Sequence, residues 1–277
     1  MKGVAALAVA LAATVATTAA AAPRPHVERV RSGEVEAVFS YSYDGARFRF
    51  TRQRLTIRRL GVTRFSALLR RPPQGGFNAQ PARYFSHRRS VSITDLDGDG
   101  EPEVVLDLYW GGAHCCWYTQ IYRYVDAGAR YRPLVHVWGN LGYVLADFEH
   151  DGEQELVTRD DRFSYAFGSF ADSRWPVRIF RYRLGDLTVG TRAYPQEIAR
   201  DATALWNAAM KRRKGASSNQ GMVAAWAADQ CLLGRSKLAF RKIDRLSRAG
   251  VIHGQRPRLQ FEQRLRSFLR RTGYLPR

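Results

Sequence analysis

The most constraining feature of this sequence is a nine-residue acidic segment that occurs twice. Asp95-Leu-Asp-Gly-Asp-Gly-Glu-Pro-Glu103 returns 52 positions later as Asp147-Phe-Glu-His-Asp-Gly-Glu-Gln-Glu155. In both copies carboxylates occupy positions 1, 3, 5 and 9, and glycine occupies position 6, where the backbone must turn sharply. Short loops with oxygen ligands at alternating positions are typical of sites for hard cations such as Ca²⁺. The duplication therefore predicts two calcium loops of similar construction.

The residues around the acidic segments exclude an EF-hand. An EF-hand loop needs a bidentate glutamate at position 12 and a helix on each side. Position 12 is Leu106 in the first copy and Thr158 in the second. Apolar residues alternate with polar ones on both sides of each segment, which is typical of strands. We therefore expect each acidic loop to connect two strands.

An acidic loop of the form DxDGDGxxE between two strands resembles the FG-GAP and VCBS-type calcium repeats of extracellular bacterial proteins and integrin head propellers. The resemblance covers roughly residues 88–184 and implies one or two structural Ca²⁺ ions. In such a loop, side-chain carboxylates and the main-chain carbonyl at position 7 surround the ion, which leaves no open position for catalysis. The implied ligand residues are Asp95, Asp97, Asp99, Glu101 and Glu103 in the first loop, and Asp147, Glu149, Asp151, Glu153 and Glu155 in the second. Glutamate at position 9 and Glu149 at position 3 depart from the family pattern.

The start of the chain has the order of a secretory signal peptide. Met1-Lys2 precedes an apolar run from Val4 to Ala13, and a stretch of small residues ends at Ala22. Such a segment is normally removed on export. We expect residues 1–22 to be cleaved, no membrane span to remain, and the mature protein to be secreted, either extracellular or in the cell envelope. An uncleaved membrane anchor is the alternative.

Beyond the signal peptide the periodicity changes once. Residues 23–87 alternate as a β segment, and residues 88–192 contain two units of strand, acidic loop, strand, connector and strand. In residues 193–277 the apolar period becomes 3.6, which is typical of helices. We predict an α+β fold. Its β-rich N-terminal two-thirds would hold two FG-GAP/VCBS-like repeats in a partial propeller-like or open β assembly, followed by a basic α-helical region.

The net charge of +19 is unevenly distributed along the chain. It is +11 over residues 23–94, −6 over residues 95–192 and +13 over residues 193–277. The acidic excess coincides with the predicted calcium loops. The basic flanks suit an anionic cell-wall polymer or another extracellular polyanion, although solvated helix faces explain them more simply.

Three cysteines allow several arrangements. Cys115 and Cys116 follow a Gly-Gly-Ala-His run, and Cys231 lies in a predicted helix. Thiols of exported proteins normally oxidise, and adjacent residues of an extended backbone point to opposite sides. We therefore expect one of the adjacent cysteines to bridge to Cys231. The alternatives are a vicinal disulfide between Cys115 and Cys116, and a zinc or copper site formed with His114 and completed by His136 or Cys231.

No nucleophile elbow, phosphate-binding loop or zincin helix occurs in the sequence. We therefore expect a non-catalytic, calcium-binding β-repeat protein with a binding or cell-envelope role. One alternative is an extracellular enzyme, either a calcium-assisted hydrolase using the carboxylates or a thiol oxidoreductase using Cys115 and Cys116. Another is a polyanion-binding protein that uses the basic flanks.

Overall fold

The computed structural model of the chain describes residues 23–69, 79–86, 88–112, 114–212, 218–254 and 256–276. Within these residues, strands β1–β13 are followed by helices α1–α4, so the predicted α+β class is confirmed. The expected signal peptide, residues 1–22, lies outside the described residues. No helix of the described part of the chain is long and apolar enough to cross a membrane.

The first sheet is an antiparallel meander of four strands in the order β1-β2-β3-β4. Its strands are β1 (Arg24–Ser32), β2 (Val35–Asp44), β3 (Arg49–Arg59) and β4 (Val62–Leu68). Alternate residues of β2, from Val35 to Tyr41, are buried, while the residues between them are partly exposed. The sequence alternation thus produces one covered face, as expected for a strand with period 2.

The second sheet contains the first acidic loop. Its strands are β5 (Gln80–Pro81), β6 (Val91–Thr94), β7 (Glu103–Tyr109), β8 (Trp117–Val125) and β9 (Arg130–Gly139). β6 pairs with β7 from Val91 opposite Leu106 to Thr94 opposite Glu103, so the acidic loop is the turn of this hairpin. β5, which precedes residue 88, pairs with the other end of β7.

The third sheet repeats this plan around the second acidic loop. Its strands are β10 (Val144–Ala146), β11 (Glu155–Arg159), β12 (Val177–Arg183) and β13 (Asp186–Val189), in that order. The acidic loop connects β10 to β11, which are antiparallel. Both predicted units of strand, acidic loop, strand, connector and strand are therefore present. The three sheets of the described residues do not form a closed propeller.

Four helices form the C-terminal part of the chain. They are α1 (Pro195–Lys211), α2 (Gln220–Leu232), α3 (Ser236–Arg248) and α4 (Arg258–Arg271). α2 is the central helix, since it is buried on nearly all sides from Gln220 to Asp229. α1 and α4 instead bury a single apolar stripe, in agreement with their 3.6-residue period.

Four hydrophobic clusters join these elements, and the smallest of them packs Ile179 of β12 against Ile198 of α1. The first cluster lies between the first and second sheets and includes Phe39, Leu55, Leu106 and Tyr118. The second lies between the second and third sheets and includes Ile121 and Phe180. The third surrounds α2 and takes Phe163 and Phe167 from the connector between β11 and β12. This connector therefore ties the helices to the third sheet.

Replacing Leu106 by alanine tests the core shared by the first two sheets. Leu106 is fully buried there, so L106A is expected to lower the free energy of unfolding by about 2–5 kcal/mol. Leu68, which is 56% exposed, provides the control, and L68A should change stability by less than about 0.5 kcal/mol. Urea unfolding of both variants gives the comparison. Equal losses would contradict the packing described.

Candidate functional site

The first acidic loop brings three carboxylates together. Ligand oxygens of Asp95, Asp97 and Asp99 all lie within 4.8 Å of one another. Among the described residues this is the one group of at least three His, Cys, Asp or Glu residues that meets this spacing. Oxygen ligands at such short separation are what a hard cation requires. The convergence predicted for positions 1, 3 and 5 of this loop is therefore present.

Backbone N–H groups hold the loop in shape. The N–H groups of Gly98 and Gly100 donate to the Asp95 carboxylate at 2.8 and 2.9 Å, and the N–H of Glu101 donates to Asp99 at 2.8 Å. Gly100 has a φ of +85°, a left-handed conformation that favours glycine. This is the turn for which position 6 of the segment needs its glycine.

Two buried carboxylate oxygens in this loop have no hydrogen-bond partner. They are Oδ1 of Asp97 and Oε1 of Glu103. The other oxygen of Asp97 accepts from the N–H of Leu184 at 2.8 Å, and the other oxygen of Glu103 accepts from Leu96 at 3.0 Å. Asp97 is 8% exposed and Glu103 is fully buried. An unpartnered buried carboxylate oxygen is costly, so a cation held by Asp95, Asp97 and Asp99 would provide the missing partner for Asp97. Glu103 lies outside this group of three, on the buried side of the same loop.

The raised pKa of Glu103 also favours a cation in this loop. Burial, together with the nearby negative charges of Asp97, Asp99 and Asp95, raises the pKa of Glu103 to about 8, against the opposing effect of the hydrogen bond from Leu96. Four carboxyl groups in one small volume repel each other when they are ionised. A positive charge inside the loop would remove this repulsion.

The side chain of Glu101 points elsewhere. Its carboxylate pairs with Arg59 of β3 at 2.5 Å, which links the loop to the first sheet. The side chain is therefore engaged outside the cluster. The expectation that Glu101 contributes its main-chain carbonyl to an ion stays a prediction.

In the second acidic loop, the residue at position 9 is satisfied by the protein itself. One oxygen of Glu155 accepts from the N–H of Phe148 at 3.0 Å, and the other accepts from the hydroxyl of Tyr194 at 2.9 Å. Glu155 is as deeply buried as Glu103, yet neither of its oxygens lacks a partner. Among the described residues of the chain, no hydroxyl donates to Glu103 Oε1, although the buried and unpartnered hydroxyl of Tyr182 is close enough that its pKa is raised by burial and by the charge of Glu103.

The remaining acids of the second loop also have partners. Glu153 forms ion pairs with Arg181, at 2.8 Å, and with Arg183, and Glu149 approaches Arg181 at 3.8 Å. Asp147 accepts from the N–H groups of Asp151 and Gly152 at 3.2 and 3.1 Å. The five predicted ligand residues thus lie on one loop, but arginines compensate the charge of two of them.

The cysteines pair differently from our main expectation. Cys115 and Cys116 form a vicinal disulfide, and Cys231 is a buried free thiol. The expected bridge to Cys231 is therefore wrong, because this residue packs among the helices while the adjacent cysteines bond to each other. The zinc or copper alternative also loses both of its thiolate ligands, since both sulfurs are in the disulfide.

The disulfide forms part of the wall of a cavity of about 220 Å³. His136, Trp138 and Phe180 form its aromatic part, and its charged part consists of arginines and aspartates. Burial and, second to it, the charge of Arg178 together lower the pKa of His136 to about 4. The imidazole beside the disulfide is therefore neutral at pH 7.

A buried aspartate in the wall of this cavity was not predicted from the sequence. Asp160 is fully buried and accepts from Arg162 Nε at 2.8 Å and Nη2 at 2.5 Å, and from the Tyr274 hydroxyl at 2.8 Å. Burial alone would raise the pKa of Asp160, but the hydrogen bonds and charge of Arg162 lower it overall. The local signal was weak, because an Arg-Asp-Asp-Arg run after a strand matches no known motif.

The C-terminal helices match a known family model. Residues 198–273 match the family described as sll0997 C-terminal domain. The "Probable thylakoid lumen protein sll0997" of Synechocystis sp. is 30% identical over 148 residues, which are 52% of this chain and 44% of the relative. "Uncharacterized protein y4bJ" of Sinorhizobium fredii is 29% identical over 194 residues, 63% of this chain and 30% of that protein. The chain thus spans less than half the length of these curated relatives. No solved structure matches it.

Acid titration tests the environment of His136. Its pKa of about 4 lies below the ordinary 6.5, so the neutral ring stabilises the fold above pH 6.5, and this contribution is lost as the pH falls toward 4. The ring should titrate near pH 4 by NMR. H136Q should lose less stability than the unaltered protein between pH 7 and 4. A ring midpoint near 6.5 would contradict the assigned environment.

Proposed function

We propose that this chain is a calcium-binding β-repeat protein of the FG-GAP/VCBS type, which acts by binding and not by catalysis. The observation that carries the proposal is a pair of buried oxygens, Asp97 Oδ1 and Glu103 Oε1, that have no hydrogen-bond partner. Asp97 also lies close to the carboxylates of Asp95 and Asp99. A divalent cation would supply the missing partner for both. The strands on both sides of the loop add support, because the calcium repeats that the loop resembles also lie between two strands.

The proposal assigns one ion to the chain, in the first loop. Asp95, Asp97, Asp99 and Glu103 would hold it through their side chains, and Glu101 through its carbonyl. Arginines pair with acids of both loops, at Glu101 and Asp99 in the first and at Glu153 in the second. What distinguishes the second loop is the hydroxyl of Tyr194, which already provides the partner that an ion would otherwise provide for Glu155. In our proposal, contacts within the protein therefore stabilise the second loop in the way that an ion stabilises the first.

The ion would have a structural role at a junction of sheets. Asp97 accepts from the N–H of Leu184, which lies between β12 and β13, and Glu101 pairs with Arg59 of β3. An ion that fixes the loop between β6 and β7 would therefore also fix its contacts with the first and third sheets. At millimolar Ca²⁺, a site with a Kd of about 10⁻⁴ to 10⁻³ M adds only about 0.4–1.4 kcal/mol of stability.

We also propose that the protein works outside the cytoplasm, secreted or in the cell envelope. The name of the Synechocystis relative places that protein in the thylakoid lumen, which is reached by transport across a membrane. The signal-peptide pattern at the start of this chain points the same way.

A matched pair of variants tests the calcium assignment. Asp99 and Asp151 occupy position 5 of their loops, and each accepts the N–H of the residue two positions later, at 2.8 and 3.0 Å. D99N is expected to weaken Ca²⁺ binding at least about tenfold, because it removes one charged ligand from the cluster. D151N should leave both affinity and stoichiometry unchanged. Calorimetric titration of the full chain gives both values.

Three results would overturn the proposal. They are no Ca²⁺ binding at millimolar concentration, equal effects of D99N and D151N, and a stoichiometry of two. Mg²⁺ serves as a control for simple charge neutralisation, since a loop of this kind should prefer the larger ion with its more flexible coordination.

A thiol oxidoreductase is the second candidate function. The favouring observation is that the bonded Cys115 and Cys116 line a cavity with His136, where Cys115 is partly exposed and Cys116 is buried. In its dithiol form the pair would give two electrons and two protons to a substrate disulfide, and would return to the disulfide. An external dithiol would then reduce it again.

Cysteine variants test this second candidate. C115S and C116S should each abolish reduction of a model disulfide by the dithiol-treated protein while the circular dichroism spectrum is retained. C231S should keep the activity, because Cys231 is a buried thiol among the helices. Loss of activity in C231S alone, or no activity in any form, would exclude the oxidoreductase function.

A further inference from the structure

A cavity of about 320 Å³ lies where the third sheet meets the ends of two helices. Its wall is formed by the end of β13 and the turn after it, by Leu232 at the end of α2, and by residues 272–274 after α4. Among the described residues that line it, Arg162, Arg178 and Arg192 are charged and none is acidic. All the charged side chains among these lining residues are therefore positive.

One carboxylate lies behind these three guanidinium groups. Asp160 binds Arg162 directly and is 3.8 Å from Arg178, which is beyond hydrogen-bonding distance. Arg192 donates to the carbonyl of Leu232 at 3.1 Å. Three positive charges and one negative charge leave a surplus of about two positive charges at the cavity, since Asp160 is ionised at pH 7.

The other polar side chains of this wall already have partners. Thr191 Oγ1 accepts from the N–H of Ile179 at 3.0 Å, and Thr272 Oγ1 donates to the carbonyl of Phe268 at 2.8 Å. The Tyr274 hydroxyl donates to Asp160. A guanidinium has five N–H donors, so the arginines retain donors that these contacts do not use. They are the groups that can recognise a ligand in this cavity.

The surplus charge selects the kind of anion. A phosphate monoester carries about −1.5 to −2 at pH 7, which matches the surplus, whereas a single carboxylate carries only −1. The planar guanidinium fork also matches the oxygens of a phosphate group. A phosphoryl group therefore balances this cavity better than a carboxylate does.

A second cavity lies next to the first. The 220 Å³ cavity beside the disulfide is also lined by Arg162 and Arg178, and its wall includes Trp138 and Phe180 as well as Asp160 and Asp161. Trp138 is 4% exposed and Phe180 lies beneath Arg178, whose guanidinium is 5.0 Å from the ring centre. An apolar or aromatic group fits such surroundings.

We propose that these two adjacent cavities together bind a small organic phosphate. Its phosphoryl group lies between Arg178 and Arg192, and its uncharged part extends past Arg162 toward Trp138 and Phe180. Arg162 is a positioning residue, held by Asp160, which is itself held by Tyr274. The site does not require calcium in the acidic loop.

Binding of phenyl phosphate to the full chain tests the proposal. Calorimetry at constant ionic strength and millimolar Ca²⁺ should give saturable binding of one molecule, tighter than that of benzoate, which has one charge, and of sulfate, which lacks the ring. Thermal shifts are unsuitable, because sulfate stabilises most folds by exclusion from their surfaces.

R178Q and R192Q should each weaken phenyl phosphate binding at least about tenfold, as expected when a charge-assisted contact is removed.

Arg258 supplies the matched control. It pairs with Asp244 on the helices, its side chain is 34% exposed against 30% for Arg178, and R258Q changes the net charge equally. R258Q should bind phenyl phosphate as the unaltered protein does. If all three variants lose affinity equally, the attraction belongs to the whole basic surface, as for a polyanion, and the proposal is wrong. Absence of saturable binding, or benzoate binding as tightly as phenyl phosphate, would also overturn it.

Discussion

The contacts of the first acidic loop connect all three sheets of the protein. Glu101 pairs with Arg59 of the first sheet, Asp97 accepts the N–H of Leu184 in the third, and the carbonyl of Leu96 accepts the N–H of Gln154 in the second acidic loop at 2.9 Å. The loop therefore has to bring several carboxylates together while it is packed against its neighbours. Repulsion inside the loop then acts at the point where the sheets meet. A counter-charge there would stabilise the sheet assembly as well as the turn.

The two acidic loops show how one sequence pattern can be satisfied in two ways. In each loop the glutamate at position 9 is buried and receives the N–H of the residue at position 2. The second glutamate, Glu155, obtains its remaining partner from Tyr194, just before α1, while the first, Glu103, has none. The helical part of the chain thus replaces in the second loop what we assign to an ion in the first. This difference explains why a duplicated motif leads us to a single proposed ion.

At the junction of the third sheet with the helices the unbalanced charge is positive, whereas in the first acidic loop it is negative. Here one buried carboxylate, Asp160, faces guanidinium groups, and the surplus is positive. Tyr274, which follows α4, holds Asp160 from the helical side. The family model that matches residues 198–273 ends one residue before this tyrosine. The helices therefore complete the junction at which the arginine cavity lies, in addition to covering part of the β-rich region.

Local sequence determined the elements of this protein, and distant contacts determined its sites. The period-2 alternation around both acidic loops and the 3.6-residue period after Pro195 predicted the strands and helices, because these patterns depend on neighbouring residues alone. The convergence of Asp95, Asp97 and Asp99 was predictable for the same reason. The tyrosine hydroxyls that donate to Glu155 and Asp160 lie 39 and 114 positions away, respectively. The pairing of the cysteines likewise depended on where the fold places Cys231. Only tertiary structure decides which buried charges find partners, because those partners come from chain segments whose relative positions no local pattern specifies.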